Sequence, residues 1–237
     1  MKVLDLPTPA LAADMDVLEK NMRCMDEILR GRQLRLRPHY KSHKCAALAH
    51  RQMAAGAAGM TCAKLSEAED LIFSGIPDVL IANQVVDPAK ILRLAQLSKL
   101  CRLTVCVDDK ENAKALSEAA VFTGGTIHCL VELDIGMRRC GARTEEEYLE
   151  AASYVSSLPG LVYEGIQAYA GYASHIVDTD ERVKVTRENE RRVAALAQKL
   201  RERGIEVMTI SGGSTGTAQI KAEDGIYTEL QAGSYLF

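Results

Sequence analysis

Six consecutive residues, His39-Tyr40-Lys41-Ser42-His43-Lys44, bring two lysines and two histidines together. An amine at the end of a buried strand loses hydration and its pKa falls. It then becomes a nucleophile able to form a Schiff base with a carbonyl. Lys41 and Lys44 both qualify by residue type, and a solvated basic loop is the plain alternative. Further along, Ser211-Gly212-Gly213-Ser214-Thr215-Gly216-Thr217 is a small-residue segment whose backbone N–H groups can approach an anion while hydroxyls add donors. Gln231-Ala232-Gly233-Ser234 repeats that character. Between them, Arg139 sits in the glycine-bounded stretch Gly136 to Gly141, where a guanidinium can grip a carboxylate or a ring atom. Tyr169, Gly171 and His175 follow. A tyrosine can stack on a planar group, and histidine, which titrates near neutral pH, can serve as a general base.

These residues need strands to hold them. Eight short apolar runs read as strands: Leu34 to Tyr40, Gly59 to Ala63, Asp78 to Asn83, Arg102 to Asp108, Ile127 to Asp134, Leu161 to Tyr169, Glu206 to Ser211 and Tyr227 to Phe237. Near-continuous apolar runs suit parallel strands covered on both faces. Helix signals lie between them. Ser66 to Glu69 and Thr144 to Glu147 read as capping boxes, and Asp87-Pro88 as an N-cap with proline at the first helical position. A helix over about Asp16 to Arg30 is closed by Gly31, and one over about Thr179 to Arg203 by Gly204. Eight strands alternating with helices predict a (β/α)8 TIM barrel. An open doubly wound sheet is the competitor, but no GxGxxG follows the first strand. The chain stops at Phe237, in or just after strand eight, with no eighth helix. The expectation is therefore a barrel truncated there, or one whose open side something else covers.

Composition narrows the partners. The 237 residues are 47% hydrophobic, with a net charge of -3 and no basic stripe, so nucleic acid is not expected and a small-molecule substrate is. No apolar run reaches the roughly 18 residues of a membrane span, and the opening MKVLDLPTPALAADMD lacks the apolar core of a signal peptide. We read the chain as cytoplasmic. Cys24, Cys45, Cys62, Cys101, Cys106, Cys129 and Cys140 form no CxxC pair and read as scattered reduced thiols. The five histidines, at 39, 43, 50, 128 and 175, do not pair with carboxylates at ligand spacing, so no metal site is predicted.

In a TIM barrel the active site lies at the C-terminal ends of the strands, and phosphate sites are frequently built from the loops after strands seven and eight. Closing the barrel sets strand eight beside strand one. A phosphate-bearing cofactor can then span that seam with its aldehyde at a lysine. Pyridoxal phosphate (PLP) meets both demands; a sugar-phosphate aldolase or isomerase would also use the cradle.

Arg37-Pro38-His39-Tyr40-Lys41-Ser42-His43-Lys44 resembles the RPHxKxHK motif of the D-threonine aldolase and eukaryotic-type D-serine dehydratase family, which belongs to the alanine-racemase-like, fold type III PLP enzymes. The likeness runs over nearly the whole chain. Leu6 to Leu11, Cys62 to Ala68, Asn83 to Val86, Arg139 to Gly141, Gly212 to Gly216 and Tyr227 to Tyr235 match in order. Asn83 to Val86 and the YTELQAGSY stretch lean toward the aldolase branch. The resemblance implies a barrel of the alanine racemase N-terminal type with PLP on Lys41. It places Arg139 and Tyr169 at the ring, and His39 among the cofactor contacts. His175 becomes the acid–base group near the substrate hydroxyl. Ser214, Thr215, Gly216, Gly233 and Ser234 hold the phosphate. Gln231 stands where alanine racemases put an arginine against the pyridine nitrogen. The implied reaction is retro-aldol cleavage of a D-3-hydroxy amino acid, such as D-threonine to glycine and acetaldehyde, through a Lys41 Schiff base. The alternatives are a D-serine dehydratase-type lyase and a non-catalytic PLP-binding barrel. Two departures stand out. Ala170 replaces a histidine frequent after the tyrosine. The family's C-terminal β-domain, which supplies ligands for a divalent Mn or Mg ion and completes a homodimer, is not in these 237 residues.

Overall fold

The computed structural model describes residues 5–237. Residues 1–4, part of the opening stretch considered above for a signal peptide, lie outside the described residues.

Eight parallel strands pair in the order β1-β8-β7-β6-β5-β4-β3-β2. They are β1 Arg35–Leu36, β2 Met60–Cys62, β3 Asp78–Ile81, β4 Arg102–Val107, β5 Ile127–Glu132, β6 Leu161–Ala168, β7 Thr209–Gly212 and β8 Glu229–Leu230. A parallel bridge between His39 and Thr61 joins β1 to β2, with Thr61 N–H donating to Pro38 O at 2.8 Å and Ala58 N–H to Leu36 O at 2.8 Å. The sheet thus closes into the (β/α)8 barrel that the alternation predicted.

The helices are α1 Met15–Leu29, α2 Ala46–Ala54, α3 Leu65–Phe73, α4 Pro88–Leu97, α5 Lys110–Thr123, α6 Glu145–Ser157, α7 Thr179–Glu202 and α8 Ala218–Asp224. Two predicted starts form as read. The Asp87 side chain accepts from Lys90 N–H with Pro88 at the first position, and Thr144 and Glu147 make a reciprocal capping box. Gly31 and Gly204 follow α1 and α7 in the left-handed region. The Ser66 capping box does not form. Helix α3 begins at Leu65 behind Lys64, and the Glu69 carboxylate instead accepts from Arg93 Nε on α4 at 2.6 Å. The tertiary partner of Glu69 outcompetes the local one. Replacing Thr144 by alanine removes one cap and is expected to cost about 1 kcal/mol, read as a drop of about 2–4 °C in thermal melting. An unchanged melt would refute the cap's contribution.

The outer strands are shorter than predicted. The first run ends as a ladder at Leu36, and its far end becomes the 3₁₀ turn Tyr40–Ser42. The last run keeps two paired residues before a second 3₁₀ turn, Ser234–Leu236. That turn packs against α1, with Asn21 Nδ2 donating to Leu236 O at 3.1 Å, and α1 also touches α8. The helix before β1 therefore covers the side on which the sequence shows no eighth helix.

One apolar core lies between strands and helices, including Leu71, Leu94, Leu116, Tyr148 and Leu200, each essentially buried. Residues of alternate parity point into the barrel. Leu80, Cys106 and Leu130 form a small apolar cluster of their own there. Below it lies a layer of charge, and above it the rim that carries the candidate site.

Candidate active site at the C-terminal rim of the barrel

The Lys41 turn is pinned from several sides. Ser42 N–H donates to His39 O, and His43 and Lys44 N–H groups donate to Tyr40 O. The buried Tyr40 hydroxyl bonds Asp70. His43 Nδ1 accepts from Cys45 N–H at 3.1 Å, and its Nε2 faces Gln52 Oε1 at 3.1 Å. Gln52 in turn donates to the Tyr235 hydroxyl beyond β8 at 2.8 Å. The seam between the first and last strands is thereby tied together just below the turn.

The geometry separates the two lysines. Lys44 adopts φ +48° and turns its amine onto Glu67. Lys41 lines a cavity of about 170 Å³ with His39, Ala63, Ala82, Asn83, Arg139, Gln167, Tyr169 and Gln231. Its Nζ stands 5.9 Å from the centre of the Tyr169 ring, and the Arg139 guanidinium stands 5.7 Å from the same ring. The Lys41 side chain reaches solvent. Even so, partial burial first, and the Arg139 charge second, hold its amine below the ordinary lysine range, while Glu67 pulls the other way. A base whose pKa falls has more free amine at a given pH. Arg139→Leu is therefore expected to move the pH midpoint of Lys41 modification upward, read by amine labelling and peptide mass spectrometry. A midpoint that stays put would remove Arg139 as a cause.

His39 is buried beneath the lysine. Burial, then the charges of Lys41, Lys44 and Arg139, push its imidazole down to about 3 against the weaker pull of Glu67, so it is neutral at physiological pH. Its Nδ1 accepts from Lys41 N–H at 3.4 Å.

The cavity floor is made of amides. Gln231 Nε2 donates to Gln167 Oε1 at 2.7 Å and to Ser211 Oγ at 2.9 Å, and all three residues are buried. This network spends both Gln231 N–H donors, so the floor is polar and uncharged.

Ser214, Thr215, Gly216, Gly233 and Ser234 gather in two facing turns beside that cavity. Ser234 Oγ donates to Thr215 Oγ1 at 3.1 Å, which joins the loops after β8 and β7. A Cβ on Gly233 would lie 2.4 Å from Ser42 Oγ and 3.2 Å from His39, so glycine lets the cup touch the lysine turn.

Of the predicted residues, His39, Lys41, Arg139, Tyr169 and Gln231 thus share one cavity, and the five cup residues adjoin it. His175 does not line it; it is the exposed last residue of the 3₁₀ turn Gly171–His175, whose Gly171 and Ala173 are buried. Gln167, Asn83 and Ala63 line the cavity without having been singled out as site residues. Ala63 and Asn83 fall within the stretches Cys62 to Ala68 and Asn83 to Val86 that resemble the family, whereas the only sequence signal of Gln167 is its position near the end of a strand. A wider groove of about 570 Å³ shares Ala63 and Asn83 but contains none of Lys41, Arg139, Tyr169 or Gln231. Among the described residues no group of three or more His, Cys, Asp or Glu side chains is placed to hold a metal ion, and no helix is long and apolar enough to cross a membrane.

Known proteins share the fold and much of the sequence. A D-threonine aldolase from Arthrobacter sp. is 44% identical over 230 residues, which are 97% of this chain and 61% of that protein. A 3-hydroxy-D-aspartate aldolase from Paracoccus denitrificans is 39% identical over 98% of this chain and 61% of its own. The crystal structure of a D-threonine aldolase from Filomicrobium marinum superposes with a TM-score of 0.97 at 42% identity, covering 99% of this chain and 63% of that one. The chain therefore spans about three fifths of the length of the relatives it matches. The family described as alanine racemase, N-terminal domain, matches residues 13–237, and the chain belongs to that family.

Proposed function

We propose that this chain is the cofactor-binding barrel of a PLP-dependent lyase that cleaves D-3-hydroxy amino acids into glycine and an aldehyde. The observation that carries the reading is the convergence of Lys41, Arg139, Tyr169 and Gln231 on one cavity beside a cup of hydroxyls and glycines. The residues fit the cofactor. Lys41, with its lowered pKa, would take its aldehyde, the hydroxyl and glycine cup would hold its phosphate, and the uncharged amides of Gln231 and Gln167 would meet its ring. When bound, PLP supplies the electron sink for carbon–carbon cleavage.

The chain's own groups do the rest. Lys41 would hold the cofactor. Arg139 and Tyr169, which share the cavity with Lys41, would orient its ring. Neutral His39 fills the space behind Lys41 without adding charge. His175 takes the proton of the substrate hydroxyl, the step that starts bond breaking. D-Threonine and 3-hydroxy-D-aspartate are the candidate substrates, because the relatives named above act on them.

The test is product analysis with the purified chain, PLP and D-threonine or 3-hydroxy-D-aspartate. Glycine and an aldehyde in equal amounts, with the L-isomers untouched, are expected. An α-keto acid and ammonia would select the dehydratase reading. PLP uptake with no product from either substrate would leave a cofactor-binding barrel and overturn the lyase assignment for this chain.

A further inference from the structure

Hydroxyls from three loops meet at the cup, and the third loop is not one of the two that form it. Ser174 lies in the turn Gly171–His175 after β6. Its Oγ bonds Ser214 Oγ. Ser214 Oγ is also 3.1 Å from Thr217 Oγ1, and Thr217 Oγ1 accepts from Ser214 N–H at 3.2 Å. Ser234 and Thr215 pair on the other side.

Ser174 is not a surface serine passing nearby. It is half-buried, and a Cβ on Gly216 would lie 3.0 Å from its own Cβ, so the loop after β6 is seated on the backbone of the cup wall. Each hydroxyl has one hydrogen and can accept through two lone pairs. In the Ser174–Ser214–Thr217 chain these hydroxyls satisfy one another. A phosphate dianion only accepts, so its arrival would turn such donors outward onto its oxygens, where a charge-assisted bond is stronger than a hydroxyl–hydroxyl one.

We propose that Ser174 is a further phosphate-binding residue, and that through it the phosphate anchors the turn bearing His175. The middle of the turn is held by Tyr172, whose hydroxyl donates to Ile135 O at 3.2 Å and accepts from Asn189 Nδ2 at 2.9 Å, while at its far end Ile176 N–H donates to Ala173 O at 3.4 Å and Ser174 Oγ reaches the cup. Residues next to both catalytic candidates then reach the cup. Ser42, after Lys41, approaches Gly233, and Ser174, before His175, bonds Ser214. This assignment rests on the PLP reading above.

The experiment compares PLP with pyridoxal, which has the same ring and aldehyde but no phosphate, by absorbance titration of the cofactor-free chain. Ser174→Ala is expected to weaken PLP binding roughly tenfold, the loss of one hydrogen bond to a charged group, and to leave pyridoxal binding and thermal melting unchanged. Ser174→Asp sets a carboxylate against the phosphate and is expected to abolish PLP uptake while sparing pyridoxal. If Ser174→Ala binds PLP like the unaltered chain, or weakens both ligands equally, or fails to fold, the hydroxyl is not a phosphate ligand. If Ser174→Asp retains PLP, the assignment falls as well. If the unaltered chain takes up neither ligand, the PLP reading itself is overturned.

Discussion

Lys41→Ala is expected to lower D-3-hydroxy amino acid cleavage by on the order of 10³-fold or more, equivalent to at least about 4 kcal/mol of barrier. It should also abolish covalent cofactor attachment. The argument is geometric before it is chemical. Of the two lysines in the RPHYKSHK segment, only Lys41 faces the cavity shared by Arg139, Tyr169 and Gln231. Its amine is held below the ordinary range by partial burial and by Arg139, so it is the better nucleophile near neutral pH. Among the described residues no other lysine lines that cavity to take its place. Borohydride reduction of the PLP-loaded chain, followed by peptide mass spectrometry, should place the cofactor on the Lys41 peptide. Lys44→Ala supplies the contrast. Lys44 is held by Glu67, whose other oxygen keeps Ala63 N–H as a donor, so this change should leave attachment intact. Attachment to Lys44, or full activity in Lys41→Ala, would overturn the site.

The second large effect is on stability, at the opposite end of the barrel. Arg37 is buried there between two carboxylates. Its Nε and one Nη donate to Glu229 at 2.8 and 2.7 Å, and its other Nη donates to Asp78 at 2.8 Å. Burial by itself would lower the Arg37 pKa, but the bonds to Glu229 and Asp78 outweigh it and raise the pKa further. The layer continues through Arg102, which pairs with Asp78 at 3.5 Å and with Glu164 at 2.6 Å, and ends at His128 on Glu164 at 2.6 Å. Removing one partner of a buried pair leaves an uncompensated charge in a poorly solvated place. Arg37→Leu is therefore expected to cost about 3–5 kcal/mol. For a chain of this size that is a fall of roughly 10 °C in thermal melting. The double variant Arg37→Leu, Glu229→Leu removes both ends of the most deeply buried, two-bond pair and leaves Asp78 with Arg102. It should recover most of the loss, since apolar replacement of a whole buried pair is often neutral. A single variant that melts with the unaltered chain, or a double variant no better than the single, would show that the layer is solvated and not a buried ionic plug. Activity measured well below the melting range should change little, because the apolar cluster Leu80, Cys106 and Leu130 lies between this layer and the rim.

The residue order was enough to predict the barrel. Short apolar runs separated by helix starts are local signals, and eight of them in alternation leave few ways to close a sheet. The Asp87-Pro88 and Thr144 to Glu147 starts were readable because a cap is completed within four residues. The cup was readable because glycine and hydroxyl residues cluster in sequence at Ser211 to Thr217 and again at Gly233-Ser234. What could not be read is whatever depends on angle around the barrel axis. Glu69 looked like half of a capping box, yet its carboxylate is claimed by Arg93, 24 positions later. Gln167 carries no motif, and its role appears only when β6 and β8 bring it onto Gln231, 64 positions away. Arg37 reads as the first letter of a motif, but its carboxylates, Asp78 and Glu229, come from β3 and β8.

The same division runs through the Lys41 turn. Chemistry by residue type belongs to the sequence: two lysines, two histidines, and a family likeness that favoured Lys41. The choice between the amines by geometry belongs to the tertiary structure. Lys44 bends back in a left-handed conformation to Glu67, while Lys41 is left facing Tyr169, Arg139 and the cup. Strand periodicity fixes which face of a strand a residue takes. Only closure of the sheet decides which residues from distant strands meet inside it.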